Sequence, residues 1–216
     1  TNYSSTVLNS NTQYFWRVTA SNGCGTALPS TTFEFTTGIP DCDIISNYDV
    51  VNHNSTVYSS GLDQGYISGH NQYGDIAKAD FFNYTGANTH IVGAYIGFGV
   101  SVASNATDTF DVKVWDGTGG TPGAELVSVP ITYQSIQDLI SGGENLAYIT
   151  FENVILPASK EFFVGIEFSY GNSTIALITN SNGETSPATA WEKWSDNSWH
   201  SYDDSSGWGL ELAHNI

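Results

Sequence analysis

Hydrophobic and polar residues alternate with a period of two along much of this chain, the signature of half-buried β-strands. The clearest case is His90–Val102. Val92, Ala94, Ile96, Phe98, Val100 and Val102 fall on one side, and Gly93, Tyr95, Gly97, Gly99 and Ser101 on the other. This predicts a core strand with a small-residue reverse face. Phe110, Val112 and Val114 repeat the pattern, as do Phe162, Val164, Ile166 and Phe168 within Glu161–Phe168. Further strands are predicted at Val127–Thr132, Ala147–Phe151, Ile175–Thr179, Trp191–Trp194, Trp199–Tyr202 and Trp208–Ala213. Residues 43–75 read as long loops, with short edge strands near Tyr48–Val51 and Ala77–Tyr84. Tyr133–Ile140 is the single stretch that reads as helix. Many short strands with almost no helix predict an all-β sandwich.

The first 37 residues form a separate β pattern. Tyr14, Trp16 and Val18 alternate with Phe15, Arg17 and Thr19, and Phe33 and Phe35 alternate with Thr32, Glu34 and Thr36. The run Leu8-Asn-Ser-Asn-Thr-Gln-Tyr14-Phe-Trp-Arg17-Val18, followed by Phe33-Glu-Phe35-Thr-Thr37, resembles the last three strands of a fibronectin type III domain. The resemblance implies that Tyr14 forms the family's tyrosine corner. It also implies a partial immunoglobulin-like unit over residues 1–38. Three strands cannot bury both faces of a sheet. Trp16, Phe33 and Phe35 are therefore expected to need cover from missing strands, from the second domain or from another molecule.

Residues 39–216 are read as the second domain, within which 76–213 carry another resemblance. A strand ending Val114-Trp-Asp-Gly117 leads to Gly119-Gly-Thr-Pro-Gly-Ala-Glu-Leu126. Then come Leu156-Pro-Ala-Ser-Lys-Glu-Phe-Phe-Val-Gly-Ile-Glu-Phe168 and Thr189-Ala-Trp-Glu-Lys-Trp-Ser-Asp-Asn-Ser-Trp199. This order resembles jelly-roll accessory modules of large secreted or surface proteins of Bacteroidota, often exported by the type IX secretion system. The resemblance implies a jelly-roll-like sandwich in an extracellular or cell-surface protein, beside peptidase, glycosidase or adhesin regions.

Composition narrows the partners. Five Lys and Arg against 22 Asp and Glu give a net charge of −17, which disfavours nucleic acid and anionic membranes. No apolar run is long enough to span a membrane as a helix, so no membrane insertion is expected. Methionine is absent, which reads as a processed or excised segment. Cys24 and Cys42 are expected to form a disulfide, in keeping with an extracellular composition. The alternative is two unrelated thiols.

No motif points to catalysis: there is no His-Glu-x-x-His, no Gly-x-Ser-x-Gly and no phosphate-binding loop. His53, His70, His90, His200 and His214 lack metal-ligand spacing. A structural Ca²⁺ is the expected cofactor, because that ion takes carboxylate, carbonyl and amide oxygens. Its candidate ligands are Asp41, Asp43, Asp49, Asp63, Asp75, Asp80 and Asp116; the competing reading has these acids capping turns.

Thr189–Trp208 holds four of the six tryptophans. Trp191 and Trp194 have an odd spacing and must face opposite ways on a regular strand. Ser195-Asp-Asn-Ser198 reads as a hairpin turn that lets Trp194 and Trp199 pair across it. The segment either closes the sandwich or forms an aromatic platform, with Trp194, Trp199, His200 and Tyr202 as candidate ligand-binding residues. The leading functional expectation is a non-catalytic module for spacing, adhesion or substrate presentation. Its partners would be other domains of a parent protein, a glycan or another copy of itself. A carbohydrate-binding module, a self-assembling fibre subunit and a fragment of a secreted hydrolase are the alternatives.

Overall fold

The computed structural model describes residues 12–37 and 42–216. The chain forms two compact units, Thr1–Ile44 and Ile45–Ile216. In the first, β1 (Gln13–Trp16) pairs antiparallel with β4 (Phe33–Thr36), and β2 (Ser21–Asn22) pairs with β3 (Gly25–Thr26). The register sets Tyr14 opposite Phe35 and Trp16 opposite Phe33, so these four rings share one face and stack, at centroid distances of 5.8 and 4.8 Å. Trp16, Phe33 and Phe35 nevertheless remain exposed.

The second unit is an all-β sandwich. Its larger sheet holds β5 (Ala77–Asn83), β7 (Thr109–Asp116), β8 (Glu125–Thr132), β10 (Glu161–Glu167), β12 (Ala190–Lys193) and β13 (Trp199–Ser201). Their order is β13-β12-β5-β10-β7-β8, all antiparallel. The smaller sheet is β11 (Thr174–Leu177), β6 (His90–Val102) and β9 (Leu146–Ile155), in the order β11-β6-β9. Phe110, Val112, Val114, Phe162, Val164 and Ile166 from the first sheet meet Ala94, Ile96, Phe98, Ile149, Phe151, Ile175 and Leu177 from the second in one core. The one helix among the described residues, α1 (Tyr133–Ser141), begins at Thr132, whose side chain accepts from Ser135 N–H. Its buried Tyr133 and Ile136 join that core.

Two register shifts alter the reading of β6. One lies between Ile91 and Gly93 on the β9 side, the other between Ala176 and Leu177 on the β11 side. A bulge moves the side chains beyond it to the opposite face. Val92 and Val102 are therefore exposed, whereas Ile91 packs on the core and Ser101 is buried. Only Ala94, Ile96 and Phe98 keep the strict alternation inward.

Three strands cannot cover six. The inner face of the β12–β13 edge is closed by irregular chain instead: Ile67, Ala188, Ala190, Tyr202 and Leu212 form a second core, with Tyr58, Trp208 and Leu210 against it. Two predicted strands are irregular chain, the second of them part of this cover. Tyr48–Val51 contains a turn, and Trp208–Ala213 has no strand, although Leu212 and Ala213 are fully buried.

The expected disulfide is not formed. Cys24 and Cys42 are both exposed free thiols. Cys24 sits in the tight turn joining β2 to β3, and its N–H is held by Asn22 Oδ1 at 2.9 Å. The turn is closed by its own hydrogen bonds, so no covalent staple is needed to shape it.

Candidate functional site

Strand parity places the site. In β5, Lys78 and Asp80 alternate in phase with Phe82 and so project towards the sandwich interior; in β12, Glu192 lies opposite Lys78. Lys78 is fully enclosed. Its ammonium lies 2.6 Å from Asp75 Oδ2 and 2.7 Å from Glu192 Oε2. A buried charge needs such partners, because desolvation alone would expel it.

Glu192 is saturated as an acceptor. Oε1 takes the indole N–H of Trp194 at 2.7 Å, and Oε2 takes that of Trp208 at 2.5 Å together with Lys78. One carboxylate thus fixes two tryptophans from different loops: Trp194 in the β12–β13 turn, Trp208 beyond β13. They border an open cleft of about 470 Å³, completed by Tyr73, Asp75, Ser195, Asp196, Ser206 and Gly207. Tyr73 meets Trp208 edge-on at 5.5 Å. His200 stacks behind Trp194 at 3.7 Å, and its Nε2 is 2.7 Å from Ser198 Oγ.

Hydrogen bonds also set the electrostatics. The side-chain hydrogen bond from Ser198, then its backbone N–H, holds the Asp196 carboxyl below the usual range. Asp204 is lowered similarly by the Ser206 N–H and hydroxyl. Tyr170, whose hydroxyl accepts from the buried Asn71 N–H, is pushed up to about 12, first by burial; the hydrogen bond opposes this, and the nearby Asp75 and Glu192 add to it. Tyr202 is raised well above its ordinary value by complete burial and by the same acids with Asp80.

Of the four expected ligand-binding residues, Trp194 alone lines the cleft. Tyr202 is fully buried and donates to Ile67 C=O at 2.7 Å. Trp199 faces the opposite side of the sheet, packing on Trp115 at 5.3 Å beside Phe163 and Trp191. Trp191 and Trp194 do face opposite ways, and Ser195–Ser198 does make the hairpin, closed by Trp194 N–H to Ser198 C=O at 2.9 Å. Trp194 nevertheless pairs with His200, not Trp199.

The expected calcium ligands are scattered. Asp41 lies outside the described residues. Asp43 and Asp63 are exposed. Asp49 accepts from Val51 and Asn52, and Asp116 from Thr118, both as turn caps. Asp80 is buried against His214 Nδ1 at 2.9 Å and Thr189 Oγ1 at 3.1 Å, anchoring the last residues of the chain. Asp75 serves the cleft. Among the described residues no three acids, histidines or cysteines gather as a metal-holding group.

Tyr73 and Glu192, with Lys78 beneath them, are not singled out from sequence, and Trp208 belongs to the aromatic segment without being among its candidate ligand-binding residues. A signal existed: Lys78 and Asp80 occupy inward positions of a strand that also carries Phe82, and charges there demand buried partners. No family model matches the chain, and no curated protein or solved structure matches it either.

Proposed function

We propose that this chain is a non-catalytic module of a secreted or surface protein, and that its sandwich binds a carbohydrate in the Trp194–Trp208 cleft. The observation that carries this reading is the clamp on Glu192. Two indoles are locked to one buried carboxylate, so two rigid aromatic walls stand ready at little entropic cost on binding. Aromatic faces pack the apolar faces of sugar rings, and Ser195, Asp196, Ser206 and Asp75 offer polar groups to their hydroxyls. The resemblance of residues 76–213 to accessory jelly-roll modules supports the module part of this reading.

Hydrolysis is the poorer fit. A glycosidase needs a carboxylic acid with a proton to give. Glu192 accepts three hydrogen bonds and Asp75 is bound to an ammonium, which holds both as acceptors. A saccharide array followed by calorimetry tests the proposal. Trp194→Ala and Trp208→Ala should each weaken binding about tenfold or more, with Trp199→Ala as the control. Full binding by both cleft variants would place the ligand elsewhere.

A further inference from the structure

The cleft carries more negative charge than a neutral sugar can use. Asp75, Glu192 and Asp196 line it, and no lysine or arginine does. Lys78, beneath the surface, supplies one positive charge to the two carboxylates it bridges. Asp75 is 2 % exposed. It spends Oδ2 on both Lys78 and Asn71, while Oδ1 accepts no hydrogen bond among the described residues. Asp196 stands ionised at the rim, its Oδ1 held by Ser198. That oxygen is not enclosed, and Asp75 lines the cleft, so Oδ1 can accept from a ligand there in place of water. The rings of Tyr73, Trp194 and Trp208 favour a cation over the same space.

We infer that the cleft selects a saccharide bearing a free ammonium, an amino sugar such as a glucosamine oligomer, with its ammonium on Asp75 Oδ1 and against the neighbouring rings. This rests on the carbohydrate reading above. Neutral sugars would leave the excess charge uncompensated, and uronates or sulfated sugars would be repelled.

Calorimetry on the full chain at about pH 6, where the amines are protonated, separates the outcomes. The probes are a glucosamine oligomer, its N-acetylated counterpart and a galacturonate oligomer. Acetylation removes the charge and keeps the skeleton. The free amine should bind about tenfold or more tightly than the acetylated form. That preference should shrink as salt is raised, and galacturonate should not bind. Asp75→Asn should abolish the preference, with thermal unfolding as the check on its fold. Asp196→Asn, at the exposed rim, should narrow it about threefold without disturbing the buried ion pairs. Equal affinity for the amine and its acetylated form, or tighter binding of galacturonate, overturns this inference and leaves the carbohydrate reading standing. Binding of no saccharide at all overturns both.

Discussion

Lys78 is a fully enclosed charge in the sandwich, and its only counter-charges among the described residues are Asp75 and Glu192. Replacing it by methionine keeps the volume but leaves two buried carboxylates without a cation. Breaking a buried pair in this way costs about 3–5 kcal/mol. Lys78→Met should show that loss in urea denaturation, together with a loosened Trp194 and Trp208 seen as altered tryptophan fluorescence. A loss under about 1 kcal/mol would mean that the acids are well solvated. Tyr170 gives a second readout. Its folded phenol is raised to about 12 from 10.0, so the neutral form is favoured by folding. That stabilisation is complete below the unfolded value and is lost as pH rises through the folded one. Tyr170 is 46 % exposed, so solvent screens this contribution; in an absorbance titration Tyr170→Phe should remove one phenol from those that ionise above the ordinary range. Residue patterns in the sequence bear on this site only indirectly. Lys78 and Asp80 can be seen to break the apolar face of β5. Asp75 lies only three residues before Lys78, but the other partners, Glu192 and His214, come from distant segments, and no local spacing predicts that meeting.

Among the elements, the β12–β13 hairpin divides its aromatics between two faces. Trp191 and Trp199 pack outward on Phe163 and Trp115, while Trp194 turns to the cleft. Trp199→Ala should therefore cost about 1–3 kcal/mol by loss of buried apolar surface, and leave saccharide affinity unchanged. Loss of affinity at preserved stability would move the site to the outer face. Next to this cluster, Gly165 of β10 lies against β5 so closely that a Cβ would collide with the Lys78 carbonyl and Ala79. Gly165→Ala should push β5 and β10 apart, lowering the melting temperature by several degrees. β7, β10 and the middle of β6 were readable because each buries one face and alternates cleanly. The ends of β6 were not, since bulges reverse the phase. Trp208–Ala213 reads as a strand because Trp208, Leu210 and Leu212 alternate with Gly209 and Glu211. Only its end, Leu212 and Ala213, is buried, as irregular chain held in part by Asn180 Oδ1 accepting from Ala213 N–H at 2.8 Å.

At the scale of the whole chain, stability is unevenly distributed. The sandwich buries a continuous core between its sheets and a second one under its edge. The described part of Thr1–Ile44 leaves Phe15, Trp16, Phe33 and Phe35 exposed, and its cysteines are unbonded. A chain starting at Ile45 should therefore melt at the same main midpoint as the full chain, because both hydrophobic cores are built from residues beyond Ile45. A midpoint several degrees lower would show that the first unit supports the second. The thiols offer an independent check. Both are exposed, so a thiol reagent should titrate two per chain without denaturant, and a reductant should leave the melting curve unchanged. A bond across Cys24 and Cys42 would instead stabilise the first unit by about 3 kcal/mol through loop closure. That would appear as a reductant-sensitive transition separate from the main one, belonging to the smaller unit alone.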